Sequence, residues 1–187
     1  MNLKRIEEGF RIILEGLGEN PNREGLQKTP ERVAKMYAEL LQGLDSEENE
    51  DDVLATQFVE RYDEMILLKD IPITSLCEHH FLPFTGVAHV AYVPSNRIVG
   101  LSKLARAVDF YARRPQVQER LTTQIAELIQ RSLEPQGVGV VLECTHACMT
   151  IRGVKKTGSV MFTSKLIGTF KSNARTRAEF MSLIEKG

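Results

Sequence analysis

Residues 137–149 read Gly-Val-Gly-Val-Val-Leu-Glu-Cys-Thr-His-Ala-Cys-Met, a β-rich run that ends in reactive side chains. Val138, Val140 and Leu142 alternate along it, and alternate side chains of a strand share one face. The same alternation continues through three reactive residues: Cys144, His146 and Cys148. We therefore expect a strand whose one face carries first an apolar stripe and then two thiols and an imidazole.

A second reactive patch, Cys77-Glu78-His79-His80, lies earlier in the chain. Three of the four histidines and all three cysteines fall in the two patches. Structural residues would be scattered more widely, so this concentration predicts that the patches meet at a metal and its acid/base groups. Cys77 and His80 are three residues apart and can project together from one turn, which would point His79 elsewhere.

Strand spacing limits which cysteine of the second patch can share a metal with the first. Same-face neighbours on a strand are ~7 Å apart and next-nearest ones ~13 Å, so Cys144 and Cys148 cannot both bind one zinc unless the strand breaks. If Cys148 is the ligand, His146 lies too far from the metal to bind it and close enough to move protons. Cys77, His80 and Cys148 would leave a fourth position open, as catalytic zinc sites do.

Two other interpretations of the patches stay open. The first is a closed structural zinc that also uses Cys144, and the second is a set of buried thiols and core histidines without a metal. Two thiolates favour zinc over harder ions, although iron or cobalt could occupy the same ligands.

The length and composition of the chain limit which classes of protein it can belong to. The chain has 187 residues, of which 42% are apolar, and this suits one domain of ordinary size with a substantial core. Twenty-four basic against 25 acidic residues give a net charge of −1, which argues against binding nucleic acid or an anionic membrane. There is no apolar run of ~18 residues and no signal-peptide pattern, so we expect a cytoplasmic protein. An odd number of cysteines favours free thiols and metal ligation over disulfides.

The chain divides into a helical arm and a mixed domain. Two amphipathic helices are predicted within residues 1–52, the second capped by Thr29 with Pro30 at its first position. The acidic stretch 45–52 predicts a solvated connection to the main domain, residues 53–187.

The main domain alternates predicted strands and helices. The strands are expected at 65–73, 87–93, 97–99, 138–149 and 159–166, and the helices start near Ser102, Gln116 and Asn173. Strand pairs separated by a helix pair predict an α+β fold with helices on one face of an antiparallel sheet. His89, inside the second strand, is expected to be structural.

Four strings of residues resemble the motifs of the GTP cyclohydrolase I family, in the same order and with similar spacing. They are Ser75-Leu76-Cys77-Glu78-His79-His80-Phe81, Gly100-Leu101-Ser102-Lys103, Arg114-Pro115-Gln116-Val117-Gln118-Glu119-Arg120, and His146-Ala147-Cys148-Met149 followed by Arg152-Gly153. The resemblance runs from about residue 29 to near the C-terminus. It implies a tunnelling fold, in which sheets of several subunits join into a barrel.

The resemblance also implies a reaction and its machinery. The reaction is the hydrolysis and rearrangement of GTP to 7,8-dihydroneopterin triphosphate with release of formate, the first step of tetrahydrofolate and pteridine biosynthesis. Zinc would be bound by Cys77, His80 and Cys148, with His79 and His146 as catalytic imidazoles. Which imidazole serves N7 of guanine and which the ribose oxygen stays open. The family implies a homo-oligomer, a decamer of two stacked five-membered rings with sites at subunit interfaces.

Substrate contacts are predicted partly from chemistry and partly from the resemblance. Lys103 and Arg106 lie three apart at the start of a helix whose cap would be Ser102, and a helix N-terminus attracts phosphate. Without the resemblance, a solvated helix face is the better explanation of the two cations. The family implies triphosphate contacts at the following residues: Ser102, Lys103, Arg106, Arg152, and Lys35 with Arg32.

Guanine recognition is predicted at Glu119. Its carboxylate can accept two hydrogen bonds from the N1 and exocyclic amino groups of guanine, a donor pair that adenine lacks. Taken alone, a glutamate on a helix is more often a surface residue. Gln118 assists by family resemblance, although on a helix it faces about 100° away from Glu119.

Two other functions stay open at this point. Another tunnelling-fold enzyme acting on a pterin or a deazapurine would be expected to lack this set of two cysteines and one histidine. A non-catalytic, zinc-stabilised module that binds GTP would need neither His79 nor His146.

Overall fold

The computed structural model describes residues 1–45 and 49–185. The chain divides into two compact units, Met1–Ser46 and Glu47–Gly187. The division falls inside the acidic stretch, close to the predicted arm; the domain bounds 1–52 and 53–187 stay a prediction. None of the helices in the described residues is both long and apolar enough to span a membrane.

The described part of the first unit contains two α-helices, α1 (Leu3–Gly16) and α2 (Thr29–Leu40), and a short 3-10 helix at Gln42–Leu44. Asn2 caps α1, and its side chain accepts a hydrogen bond from the backbone of the first turn. The predicted cap of α2 differs by one residue, because Lys28 occupies the cap position and Thr29 is already helical. The Thr29 hydroxyl instead donates to the carbonyl of Gly25 in the preceding turn.

The second unit carries the strands and the remaining helices. Its strands are β1 (Gln57–Val59), β2 (Ile66–Cys77), β3 (Leu82–Val93), β4 (Arg97–Val99), β5 (Pro115–Gln116), β6 (Gly137–His146) and β7 (Met161–Gly168). Its helices are α3 (Leu101–Ala112), α4 (Gln118–Leu133), α5 (Ala147–Thr150), α6 (Thr169–Ser172) and α7 (Ala174–Glu185).

The main sheet has the strand order β5-β2-β3-β6-β7. The β2–β3, β3–β6 and β6–β7 pairs are antiparallel, and only the two-residue β5 runs parallel to its neighbour. Strands β1 and β4 form a separate antiparallel pair. The predicted α+β class with an antiparallel sheet is confirmed.

Helices α3 and α4 cover one face of this sheet, as predicted. Val138, Val140 and Leu142 of β6 are fully buried in the same apolar cluster as the inner side chains of both helices. These helix residues include Leu104, Val108, Leu121, Ile125, Leu128 and Ile129. The alternation along β6 therefore does build the core.

The C-terminal helices add cover on the opposite face. Phe170 of α6 and Phe180 of α7 are fully buried, meet edge to face and pack on Val141. A Cβ at Gly139 would lie 2.6 Å from the ring of Phe170, so glycine is needed there for the rings to reach the strand.

The acidic stretch departs from the predicted solvated connection at Glu50; residues 46–48 lie outside the described residues. The Glu50 carboxylate lies 2.8 Å from Nη2 of Arg131 and accepts a hydrogen bond from the Tyr111 hydroxyl. These hydrogen bonds, that of Tyr111 first, lower the pKa of Glu50. The apolar residues at 53–54 are fully buried. Asn49, Asp51 and Asp52 are exposed, as the predicted solvated connection requires, whereas Glu50 is half-buried because α3 and α4 supply a hydroxyl and a cation that pair with it.

Candidate active site

The sheet register brings the two reactive patches to the same end of the sheet. Strand β2 ends at Cys77, which pairs with Leu82 at the start of β3. Two residues later on β3, Phe84 pairs with His146, the last residue of β6. Because β3 lies between β2 and β6, the ends of both reactive strands lie beside one short segment. The predicted meeting of the patches is confirmed.

The strand carrying the second patch breaks at His146. Helix α5 begins at Ala147, and the Ile151 N–H donates to the Ala147 carbonyl at 3.1 Å. This turn returns Cys148 toward the end of the strand. One ring nitrogen of His146 and the sulfurs of Cys77 and Cys148 consequently lie within 4.8 Å of one another. The predicted separation of His146 from Cys148 is wrong, because it assumed an extended chain through both.

The donor set fits zinc. Tetrahedral zinc sites bind sulfur at ~2.3 Å and imidazole nitrogen at ~2.0–2.1 Å, which puts donor atoms between ~3.5 and ~3.8 Å apart. Two sulfurs and a nitrogen within 4.8 Å need only a small contraction to reach that spacing. Burial, and then the neighbouring Cys77, raise the pKa of Cys148. Zinc binds cysteine as the thiolate, so metal binding here would release protons. All three cysteines are free.

His80, a predicted ligand, lies outside this group in the structure. The turn after Cys77 is closed by the N–H groups of His80 and Phe81, which both donate to the Cys77 carbonyl. Both histidine side chains of the turn are exposed. His79 Nδ1 lies 3.8 Å from Cys77 Sγ, whereas His80 Nε2 accepts a hydrogen bond from Arg152 Nη1 at 3.0 Å. The structure thus brings His79 to the sulfur and His80 to the guanidinium.

His146 is held between a ring and an amide. Its imidazole stacks on Phe84, with centroids 4.6 Å apart and planes at 8°. Its Nε2 lies 2.8 Å from Oε1 of Gln118, the first residue of α4. Burial lowers the pKa of His146, and the negative charge of Glu119 opposes that shift. Phe84 was not predicted as a site residue, because its partner is known only once the β3–β6 register is known.

The first turn of α4 is tied to the first reactive patch. The Arg120 guanidinium forms an ion pair with the Glu78 carboxylate, and Arg120 Nε donates to Gln116 Oε1 at 3.0 Å. The hydrogen bond from Arg120 lowers the pKa of Glu78. Glu119 itself is exposed. This ion pair was not predicted from the sequence, although both of its members lie inside the family motifs and carry opposite charges.

The predicted phosphate contacts lie at two places in the second unit. Gly100 caps α3, so Ser102 lies within the first turn and is not the cap that was predicted. Lys103 is half-buried and Arg106 is exposed on this helix. Arg152 follows α5 and reaches His80.

The two remaining predicted cations, Lys35 and Arg32, lie on α2 in the first unit. Lys35 Nζ forms an ion pair at 2.5 Å with Glu31, one helical turn away. Arg32 is exposed. Their role in substrate binding stays a prediction.

Cys144 and His89 have structural surroundings. Cys144 is 1% exposed in the main core, where burial raises the pKa of its thiol to about 12. His89 is 2% exposed, its Nδ1 accepts a hydrogen bond from the Asp70 N–H at 3.2 Å, and its Nε2 lies 3.5 Å from Glu143 Oε1. Neither residue belongs to the Cys77, Cys148 and His146 group.

Comparison with known proteins gives full-length matches. A family model described as GTP cyclohydrolase I matches residues 6–185. The chain is 54% identical over 186 residues to GTP cyclohydrolase 1 of Rhodopirellula baltica, which covers 100% of this chain and 80% of that protein. It is 56% identical to GTP cyclohydrolase 1 of Pelotomaculum thermopropionicum, over 97% of this chain and 96% of that protein. It is 54% identical to the Geobacillus kaustophilus protein of the same name, over 99% and 98% of the two chains.

Proposed function

This chain belongs to the GTP cyclohydrolase I family, and we propose on that basis that it converts GTP to 7,8-dihydroneopterin triphosphate and formate with zinc as its cofactor. The observation that carries the proposal is the meeting of Cys77, Cys148 and His146 at one end of the sheet, beside the first turn of α4. A cytoplasmic location is part of the proposal, because the thiols are free and persist in a reducing compartment.

We assign the zinc ligands to Cys77, His80 and Cys148 on the basis of the family motifs, although the imidazole nearest to the two sulfurs in the structure is that of His146. The two sulfurs are already neighbours, and His80 follows Cys77 within one turn. The His80 ring is exposed, so a side-chain rotation away from Arg152 would make its lone pair available to the ion. When bound, zinc activates a water molecule for hydrolysis.

His79 and His146 are assigned to proton transfer. Hydrolysis at C8 opens the imidazole ring of guanine and then releases formate, which requires protons at N7 and at the leaving nitrogen. The ribose ring must also open, through a proton at its ring oxygen, before an Amadori-type rearrangement and closure of the new ring. His146 is fixed by Phe84 and Gln118, whereas His79 is exposed on a turn. Two imidazoles in different surroundings suit two different proton transfers.

Guanine recognition is assigned to Glu119. Its exposed carboxylate lies on the first turn of α4, next to the residue that contacts His146, and its charge acts on that imidazole. A base bound by this carboxylate through N1 and the exocyclic amine would therefore lie near the proton donor. The phosphate contacts at Ser102, Lys103, Arg106 and Arg152, with Lys35 and Arg32, are carried over from the family motifs.

We also propose that the protein is a homo-oligomer, a decamer in which the sheets of neighbouring subunits join into a barrel. Strand β7 lies at the edge of the main sheet, and Phe162 on it is 63% exposed. An edge strand with an exposed aromatic side chain is suited to pairing with another chain. Light scattering should give a mass near ten times 21.1 kDa, and a mass of 21.1 kDa in an active preparation would contradict the assembly.

The test of the proposed function is to incubate the purified protein with GTP and measure formate together with dihydropterin absorbance. We expect both products, loss of both with a chelator, and recovery when zinc is returned. ATP is the matched control substrate, because adenine lacks the donor pair that Glu119 would bind. Binding of GTP with no formate would contradict the proposal and favour a regulatory binding module.

A further inference from the structure

We propose that Gln118 is a positioning residue for His146. Its amide oxygen accepts a hydrogen bond from Nε2 of the imidazole and so fixes the orientation and the tautomer of the ring. The role in catalysis rests on the proposed function, whereas the placement of the hydrogen rests on the contacts alone. This assignment differs from the direct substrate contact that the family resemblance implies for Gln118.

The orientation of the Gln118 amide is fixed by backbone carbonyls. The side chain is 1% exposed, and its Nε2 lies 3.1 Å from the Leu142 carbonyl and 2.9 Å from the Met161 carbonyl. A carbonyl oxygen only accepts hydrogen bonds, so the amide group facing both must be the NH2 group. The flipped amide would bring its oxygen against two other oxygens in a buried place.

A pair of threonines supports the same orientation. The Thr122 hydroxyl donates to the backbone carbonyl of Gln118 at 2.7 Å, so the Thr122 oxygen must accept the hydrogen of the Thr163 hydroxyl, 2.6 Å away. Thr163 Oγ1 can then accept from Gln118 Nε2 at 3.1 Å. The two amide hydrogens thus have acceptors from β6 and β7, and every donor direction in the network agrees.

The remaining side of the amide determines the tautomer of His146. Oε1 of Gln118 can only accept, so His146 Nε2, 2.8 Å away, must donate. Neutral imidazole carries one N–H, and Nδ1 therefore holds a lone pair. Stacking on Phe84 fixes the plane of the ring, so a ring flip would lose the hydrogen bond to Gln118.

The Gln118 oxygen is uncharged, so it holds the Nε2 hydrogen without drawing it away from the ring. Gln118 therefore specifies the tautomer of His146 and keeps the ring in one orientation, which is the role that an orienting group has for a catalytic imidazole.

The test combines spectroscopy with kinetics on the zinc-loaded protein. The 15N NMR spectrum of histidine-labelled protein at neutral pH should show His146 with hydrogen on Nε2 and none on Nδ1; a His146→Gln sample assigns the signals. An Nδ1–H tautomer, or an even mixture, in the wild-type protein would overturn the proposal. This measurement is independent of turnover, so it stands even if the protein does not produce formate.

The matched variants are Gln118→Met and Gln116→Met. Gln116 is also buried, at 2% exposure, and bonds the Tyr111 carbonyl and Gln124 but not His146. We expect Gln118→Met to mix the tautomers and lower kcat by ~10–100-fold, as loss of an orienting partner does, with KM for GTP nearly unchanged. Gln116→Met should keep the wild-type tautomer.

Two results would contradict this role. A raised KM with unchanged kcat in Gln118→Met would make Gln118 a substrate contact. An unchanged His146 tautomer in the same variant would show that Gln118 does not determine it. Should Gln118→Met fail to fold, Thr163→Val provides the second test. It removes one acceptor of the Gln118 amide but keeps both carbonyls, so the wild-type tautomer should persist; its loss would overturn the network argument.

Discussion

Replacing Gly86 by alanine should destabilise the second unit severely and disable the site. Gly86 lies on β3 opposite Cys144 of β6, two residues from Phe84. A Cβ at Gly86 would lie 1.8 Å from the Glu143 carbonyl oxygen and 2.7 Å from the Cys144 Cα. Real Cβ atoms essentially never approach closer than 3.0 Å, so the two backbones must separate by about 1.2 Å. Both atoms belong to backbone, and no flexible side chain can give way.

The loss of stability can be estimated from the contacts that this separation of β3 and β6 disrupts. Overpacking in a core costs ~1–3 kcal/mol, and here ladder hydrogen bonds worth ~0.5–1.5 kcal/mol each are stretched as well. We expect a loss of at least ~3 kcal/mol, which for a chain of this size lowers Tm by roughly 6–12 °C. Even the protein that remains folded should lose activity, because Phe84 moves with β3 and its stack on His146 is lost.

The assay is thermal unfolding followed by circular dichroism, with formate release measured on the same samples. Gly9→Ala is the matched control, because a Cβ there meets nothing within 4 Å and Gly9 lies inside α1. That variant should gain up to ~0.5–1 kcal/mol. A Gly86→Ala protein with Tm within ~2 °C of the wild type and full activity would refute the close-approach argument.

Three further predictions test the metal ligands and one ion pair. Cys148→Ser should weaken zinc binding by more than the ~10–100-fold that loss of an outer partner costs. Cys144→Ser should keep zinc and lower the free energy of unfolding by ~1–3 kcal/mol, because it buries a hydroxyl. Measuring the zinc content of both variants would show whether the two cysteines have been assigned the wrong way round. His80→Ala should lose zinc and His146→Ala should keep it, and the opposite pattern would make the geometric group the ligand set. Glu50→Gln should lower Tm at pH 7. Because the folded pKa of Glu50 is lowered, its stabilising effect is present above the unfolded value of ~4.3 and is lost as pH falls through the folded value. The Tm difference should therefore shrink in acid; a constant difference would contradict the ion pair.

The sequence predicted those elements in which apolar residues repeat at the spacing of a strand or a helix. The alternation in residues 137–146 predicted β6 and its buried face, and the four motifs predicted the family to which the chain belongs. The features that the sequence did not predict leave no pattern among neighbouring residues. Glu50 pairs with Arg131, about eighty residues away, and no periodicity marks such a pair. Phe170 lies in a four-residue helix that is too short to show a helical repeat.

The position of the site depends on where β6 ends, and the reason that it ends there lies on the neighbouring strand, β3. If β6 continued past His146, Ala147 would face Pro83 of β3, given that His146 pairs with Phe84. Proline has no backbone N–H to offer a ladder, and the chain turns into α5 at this point. Pro83 is visible in the sequence, but its meaning depends on the register between two strands about sixty residues apart. Spacing alone therefore predicted that the two patches meet but gave the wrong separation of His146 from Cys148, because it treated 137–149 as one extended element while the neighbouring strand could not support its last turn.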